Sequence, residues 1–393
     1  MKVAFVRSYY VMEIFLAIFC FLLIIYAFLI DYYRKSWNQI PEFLPAKSIG
    51  NTFVSIIIPV RNEEKNLEIL IGSLKEQRYP STLFEVIIVD DHSTDNTWKL
   101  LNSIPPGSIT IKPLLLSDWI SGNNEILAHK KLAIEKGIAQ AQGKLIVTTD
   151  ADCVFNPAWL VHIVSFYEAT KAKFIAAPVK YSTNNTFLSI FQALDFMTLQ
   201  GITGASVHKR FHTMCNGANL AYEKSSFIEV DGFYGIDNIA SGDDMLLMYK
   251  IYKKFPEHVL YCKSNQAIVI TSPMNTWKDF FYQRIRWASK ATHYDDQKIF
   301  WILLLVYGIN FCFLALAIAS FWNYNWLLFL PLFLMVKVII EFPFVNSVAN
   351  FFQEKKLLKY FPLMQPFHVF YTIVAGWLGK FGSYEWKGRR IKQ

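Results

Sequence analysis

Apolar residues along this chain fall into two regimes. Tyr9–Ile30, Ile299–Trp322 and Trp326 to about Val345 are almost unbroken apolar runs, each long enough to cross a bilayer as a helix. Between them, short apolar runs alternate with amphipathic stretches. Phe53–Val60 (FVSIIIPV), Glu85–Val89, Ile109–Leu116, Leu145–Val147 and Phe174–Lys180 read as strands, rich in β-branched residues. Leu67, Leu70, Ile71 and Leu74 recur at helical spacing and predict a helix to about Gln77, and His129–Gln140 predicts another. Strands alternating with helices imply an α/β domain with a mostly parallel sheet and helices on its faces. The first apolar run is too long for a signal-peptide core and no small-residue cleavage site follows, so it is expected to be a retained anchor. Pro41 and Pro45 mark a linker to Gly50. Phe361–Phe381 stays open: Pro362, Pro366, His368 and Gly376 allow a span, a re-entrant element or an interfacial helix. The basic loop Lys355, Lys356, Lys359 and the basic tail both prefer the cytoplasmic side, and if both lie there this segment does not cross. The expected organisation is an anchor and linker (1–50), a cytosolic domain (51–275), an interfacial helix (276–298) and a C-terminal membrane region (299–393).

Composition sharpens the membrane reading. Of 393 residues, 53% are hydrophobic and 17% aromatic, above soluble averages, while 18% are charged, below them. The net charge of +8 raises the question of nucleic acid. The basic residues crowd beside the apolar runs (Arg284, Arg286 and Lys290; Lys387, Arg389, Arg390 and Lys392), where they set topology and meet anionic lipid headgroups. Membrane lipids are therefore the expected partner, and nucleic acid is not. Five scattered cysteines with no CxxC form no disulfide framework, which fits a reducing compartment. His208 and His212 have a metal-ligand spacing, but without nearby Cys or further His they read as solvated loop residues.

Candidate chemistry gathers at strand ends. GKLIVTTDAD (Gly143–Asp152) is a buried strand that emerges with Asp150 and Asp152, where open α/β sheets bind ligands. Carboxylates this close can share one hard divalent cation and leave positions for phosphate oxygens. An isolated Asp-x-Asp is more often a turn or cap, but the Glu85–Val89 strand also ends in Asp90 and Asp91. Ser241-Gly242-Asp243-Asp244 precedes the helical run MLLMYKIYKKF; one carboxylate can cap the helix while the other faces a cavity. Asp244 is taken for the chemistry and Asp243 for the cap, with an exchange of roles left open. On Trp277–Lys290, Trp277, Phe281 and Ile285 predict one apolar face, and Gln283, Arg286, Trp287 and Lys290 a second, polar and aromatic one. Lys337 and Glu341 are placed to pair on one helix face inside an apolar run.

Taken in order, PVRNEE (Pro59–Glu64), IIVDDHSTDNT, HKKLAIEKGI, TTDAD, NGANLAY, SGDDMLL and QRIRW resemble the membrane-embedded glycosyltransferases of family two. That group includes cellulose, hyaluronan, chitin and poly-N-acetylglucosamine synthases and ceramide glucosyltransferase-like enzymes. The resemblance covers about residues 53–290. His92 stands where Gly is common, His129 precedes Lys130 where Gly often does, and Asp243 replaces the usual Glu. The resemblance implies a GT-A-type sheet with N- and C-terminal transmembrane helices. It also implies inverting, metal-dependent transfer from a nucleotide sugar, UDP-linked, to a glycan or lipid hydroxyl at the cytoplasmic face of the inner membrane, forming a β-glycosidic bond. On its terms Glu63 and Asp91 hold the nucleotide and Lys130 approaches its ribose or diphosphate. Asp150 and Asp152 bind the donor through Mg²⁺ or Mn²⁺, and Arg286 meets the phosphates. Asp244 is the base, Gln283 and Trp287 meet the acceptor, and Asn219 forms part of its wall. The sugar, the acceptor, processivity and any partner subunit stay open. An inert membrane scaffold is the alternative, and the intact acidic set argues against it. A nucleotidyltransferase would call for a Gly-rich phosphate loop, which PVRNEEKN is not.

Overall fold

The first apolar run is helical throughout, as α1 (Lys2–Gln39). The computed structural model describes residues 2–45, 50–120, 128–239, 241–290, 296–381, 383–386 and 389–392, and side chains from 12 to 380 within those ranges. The chain divides into two units, 1–39 with 277–384 and 392–393, and 40–276 with 385–391.

The second unit is built on a mixed sheet. Its strands are β1 (Val54–Val60), β2 (Phe84–Asp90), β3 (Thr110–Leu115), β4 (Leu145–Thr148), β6 (Phe174–Ala176), β8 (Leu220–Glu223) and β9 (Val259–Tyr261), in the order β3-β2-β1-β4-β8-β6-β9. A smaller sheet joins β5 (Val154–Phe155), β10 (Val269–Thr271) and β7 (Val179–Tyr181). Strands β3, β2, β1 and β4 run parallel, and β8 is antiparallel to both its neighbours. Strands buried on both faces carry near-continuous apolar runs, as β1, β2 and β4 do, and where Ser55 and Glu85 interrupt β1 and β2 they hydrogen-bond each other at 2.6 Å. The half-exposed β3 is an edge strand, which is why Pro113 is tolerated in it.

The Phe174–Lys180 run is not one strand. Ala177-Pro178 divides it, because Pro has no N–H to donate, and β6 and β7 pair in different sheets. The connecting helices are α2 (Leu67–Lys75), α3 (Thr97–Asn102), α4 (His129–Gln140), α5 (Trp159–Thr170), α6 (Phe187–Lys209), α7 (Lys224–Glu229) and α8 (Met245–Lys254). Helix α4 lies on β1 and β2. Gly137 permits that approach, since a Cβ there would fall 2.6 Å from Ile57 Cγ2. The chain passes from β1 to β2 on one side and places β4 on the other, so the carboxyl ends of β1 and β4 flank a switch point where such sheets bind ligands.

The other unit contains α1, α9 (Trp277–Ser289), α10 (Gln297–Ala319), α11 (Phe329–Phe351) and α12 (Phe361–Phe381). Among the described residues, three helical stretches are long and apolar enough to cross a membrane: Met12–Gln39, Gln297–Ala319 and Tyr324–Phe351. The Phe19 ring meets Phe313 edge-on at 5.0 Å and Phe333 at 4.5 Å, joining α1 to α10 and α11. The expected Lys337–Glu341 pair forms, at 2.5 Å, within a larger buried network. Tyr26 donates to Glu341, Lys337 also donates to Gln365, and Gln365 donates to Glu341. Each charge is therefore both paired and hydrogen-bonded, which its removal from water requires. Helix α12 is continuous through Pro366 and packs on α9, α10 and α11.

Candidate active site

Three loops leave the carboxyl ends of β1, β2 and β4, and a few side chains bind them together. After β1, Arg61 Nη1 donates to the carbonyls of Asp91 (2.7 Å) and His92 (3.0 Å), pinning the loop that follows β2. Asn62, at φ 54°, accepts from the Thr94 amide at 2.8 Å. Glu63 is buried; its carboxylate accepts from Asn66 Nδ2 at 2.6 Å and its amide donates to Thr97 Oγ1 at 2.8 Å. Asp90 accepts from the Ser93 amide at 3.0 Å, a turn cap. Asp91 is buried, with Oδ1 3.0 Å from His92 Nδ1 and 2.9 Å from His129 Nδ1.

The first two residues of α4 face two different loops. His129 reaches Asp91. Lys130 Nζ donates to Asp150 Oδ1 at 2.8 Å and lies 3.1 Å from Asp243 Oδ2. Burial by itself would lower the Lys130 pKa, but Asp150, Asp243 and Asp244 outweigh it and hold the ammonium well above the ordinary lysine value. Asp152 Oδ2 accepts from Thr271 Oγ1 on β10 at 2.9 Å. The buried Cys153 thiol is pushed far up, first by burial and then by Asp152 and Asp150, so it supplies no thiolate near neutral pH.

The Asp243–Asp244 pair has its roles arranged differently from the primary expectation. Asp244 is the residue that caps α8: Oδ1 accepts from the Met245 amide at 2.8 Å, and Oδ2 from the Gly217 amide at 3.2 Å. Asp243 is the one beside Lys130. The turn at Gly242, φ 81°, sets which carboxylate meets the helix, and spacing along the chain does not. Gly217 borders the same cluster, since a Cβ there would lie 3.4 Å from both Asp243 Oδ2 and Lys130 Nζ. Asn219 is not presented to a cleft. It is fully buried, accepts from Trp159 Nε1 at 3.0 Å and donates to the carbonyls of Pro178 and Ala267, both at 2.8 Å. An amide with these three bonds ties α5, the β6–β7 link and the turn before β10 together in the core, and its polar atoms are taken up there.

Around Lys130, the carboxylates of Asp150, Asp243 and Asp244 face a single ammonium, and Asp152 adds another from the same loop as Asp150. The set offers only oxygen ligands, the kind a hard divalent cation such as Mg²⁺ or Mn²⁺ takes, while among the described residues the group of three or more whose ligand atoms all lie within 4.8 Å of one another is Asp91, His92 and His129.

On helix α9, in the other unit, the expected apolar face meets α12, with Trp277 against Phe367, Phe281 against Phe370, and Ile285 buried. The face is wider than expected, because Phe280 and Arg284 are also buried, while Trp277 stays partly exposed. Contact with α12 sets this face: the Phe280 ring meets Tyr371 at 5.4 Å. The buried Arg284 guanidinium lies 4.2 Å over Trp287, 4.9 Å over Phe280 and 5.8 Å over Tyr371. Hydropathy assigned Arg284 to headgroups because it carries no information on cation–π packing. Gln283, Arg286 and Trp287 are half-buried. His212 is likewise a core residue, its Nε2 2.8 Å from Ser206 Oγ. Thr271, Gly217 and the Arg61 clamp were not anticipated, because each acts across the fold.

Comparison with known proteins gives a consistent picture. Residues 55–230 match the description "Glycosyl transferase family 2" and residues 145–374 match "Glycosyl transferase family group 2". Beta-monoglucosyldiacylglycerol synthase of Nostoc sp. is 25% identical over 64% of this chain and 51% of its own length. Poly-beta-1,6-N-acetyl-D-glucosamine synthase of Staphylococcus aureus is 23% identical over 70% and 62%. The chain spans about half the length of the curated relatives it matches. Among solved structures, the mannosyltransferase PcManGT of Pyrobaculum calidifontis, in complex with GDP-Man and Mn²⁺, shares the fold. It has a TM-score of 0.60 at 16% identity, covering 93% of this chain and 97% of that one.

Proposed function

Because the chain belongs to glycosyl transferase family group 2, we propose that it is an inverting, metal-dependent glycosyltransferase. In this reading it moves a hexose from a nucleotide-sugar donor, UDP-linked, to a hydroxyl of a lipid or glycan at the cytoplasmic face of the inner membrane. The observation that carries it is the bridge made by His129 and Lys130, which draws Asp91, Asp150 and Asp243 from separate loops around the start of α4. A catalytically inert scaffold has no use for this set. The boundaries that go with the reading are a cytosolic catalytic domain at 51–275 and an interfacial helix at 276–298.

Glu63 and Asp91 hold the nucleotide, and Lys130 meets its ribose or diphosphate. Asp150 and Asp152 would hold Mg²⁺ or Mn²⁺, which supplies Lewis-acid stabilisation of the charge that gathers on the departing nucleoside diphosphate. Arg286 gives those phosphates charge-assisted hydrogen bonds in a planar fork that Lys cannot match. Asp244 takes the proton of the attacking hydroxyl, help typically worth about a hundred- to ten-thousandfold in rate. A base opposite the leaving group makes one in-line displacement, so an α-linked donor yields a β-linked product. Two relatives carry names with β-linked products. Trp287 offers the acceptor an aromatic face and Gln283 an amide.

One observation supports a second assignment of the base. Asp244 already accepts two amides, one on each oxygen, whereas the Asp243 carboxylate faces Lys130. Two measurements test the whole reading. The purified protein is incubated with radiolabelled UDP- and GDP-sugars, the linkage and size of the product are determined, and Asp244→Asn is compared with Asp243→Asn. Transfer abolished in Asp244→Asn, with metal-dependent donor binding kept, is the expected result. Turnover retained there and lost in Asp243→Asn moves the base to Asp243, and no transfer from any donor refutes the reading.

A further inference from the structure

The loop after β2 and the start of α4 bring Asp91, a nucleotide-binding residue in the proposed function, together with two imidazoles that contact neither donor nor acceptor in that reading. We propose that Asp91, His92 and His129 form a second cation site, for a borderline divalent transition ion of the Zn²⁺ type, distinct from the oxygen-only cluster at Asp150 and Asp152. Their ligand atoms all lie within 4.8 Å of one another.

Asp91 Oδ1 is 3.0 Å from His92 Nδ1 and 2.9 Å from His129 Nδ1. Ligands bonded to one ion at about 2.0–2.1 Å sit roughly 3.0–3.4 Å apart, so these separations need only small changes. The His129 contact is not an ordinary hydrogen bond. Its Nδ1 is buried and lacks hydrogen-bond geometry to any partner, although the carboxylate oxygen is 2.9 Å away. A buried ring nitrogen with no hydrogen bond of its own, within 4.8 Å of a carboxylate oxygen and a second imidazole nitrogen, supplies the third ligand atom that an ion there would take.

The backbone is already set for this. His92 sits at φ 56°, and Arg61 holds the carbonyls on either side of that turn. The His92 side chain is 38% exposed, which leaves a route for an ion and room for a water ligand. Two imidazoles and one carboxylate with an open position suit Zn²⁺ and its neighbours, whereas Mg²⁺ prefers all-oxygen sites. The two clusters therefore separate cations by chemistry.

The test uses the full chain in detergent, stripped of metal and held in saturating Mg²⁺. Zn²⁺ is titrated by calorimetry, and Co²⁺ by its visible d–d absorption. His92→Gly suits the positive φ and His129→Gln keeps the helix start, so the double variant tests loss of ligands at little cost to the fold. Wild type should bind Zn²⁺ at least ~100-fold more tightly than the double variant, and bound Co²⁺ should show the intense bands of imidazole coordination in wild type alone. Equal Zn²⁺ affinity in both proteins, or a wild-type Co²⁺ spectrum matching the hydrated ion, overturns the proposal. The wild-type spectrum decides even if the variant fails to fold.

Discussion

Replacing Lys130 by methionine is expected to tighten Mn²⁺ binding to the donor-free protein while lowering sugar transfer. The ammonium lies 2.8 Å from Asp150 Oδ1 and 3.1 Å from Asp243 Oδ2, so an incoming cation competes with a positive charge already seated on its ligands. A unit charge pair at that shorter distance is worth ~1.5 kcal/mol in water and ~6 kcal/mol at an effective dielectric of about 20. The Asp150 side chain is 37% exposed, which favours the lower figure. Removing the ammonium should then strengthen Mn²⁺ binding by about tenfold or more, since each factor of ten is ~1.4 kcal/mol. Methionine keeps the length of the stem and loses only the charge. The assay is calorimetric titration of the metal-free protein with Mn²⁺, with Asp150→Ala as the control that abolishes the gain. Equal or weaker Mn²⁺ binding in Lys130→Met would show that Asp150 is not a ligand, and the assignment of the metal to this cluster would fall.

Other predictions test the framework. Glu341→Ala leaves Lys337 buried without its carboxylate and should cost about 3–5 kcal/mol, read as a lowered midpoint of thermal unfolding in detergent. Lys337→Met with Glu341→Leu should recover most of that, and a double variant no better than the single would refute the account. Burial lowers the Lys263 pKa from 10.5 to about 8, against the opposing pull of Glu42. The unfolded chain therefore holds more protons between those values, and stability should rise with pH across that window by at most ~3 kcal/mol. Below pH 8 the penalty is constant, and Lys263→Met should lack the rise; parallel pH profiles for the two proteins would contradict it. Gly143→Ala places a Cβ 2.4 Å from the Ser55 amide nitrogen and 2.8 Å from the Val54 carbonyl carbon, so backbone must move. A loss of about 1–3 kcal/mol is expected in a denaturant titration, and an unchanged midpoint would contradict the β1–β4 register.

Much of this protein is legible locally. Apolar runs of bilayer length, β-branched runs that end in aspartates and the helical spacing after them each depend on a few neighbouring residues, so the spans, the parallel core strands and the loops that carry Asp91, Asp150 and Asp152 could be read from one dimension. Asp243 and Asp244 mark the limit. Their spacing allows either to cap α8, and only the path of the loop through Gly242 and the amide of Gly217 selects Asp244. Asn219 has the look of a loop amide until Trp159, Pro178 and Ala267 close around it, and Arg284 has the look of a headgroup ligand until Phe280, Trp287 and Tyr371 bury it. Periodicity records whether a position faces water or core, an average over many possible neighbours. The partner of a buried polar group is one particular residue far away along the chain, and only the folded arrangement chooses it.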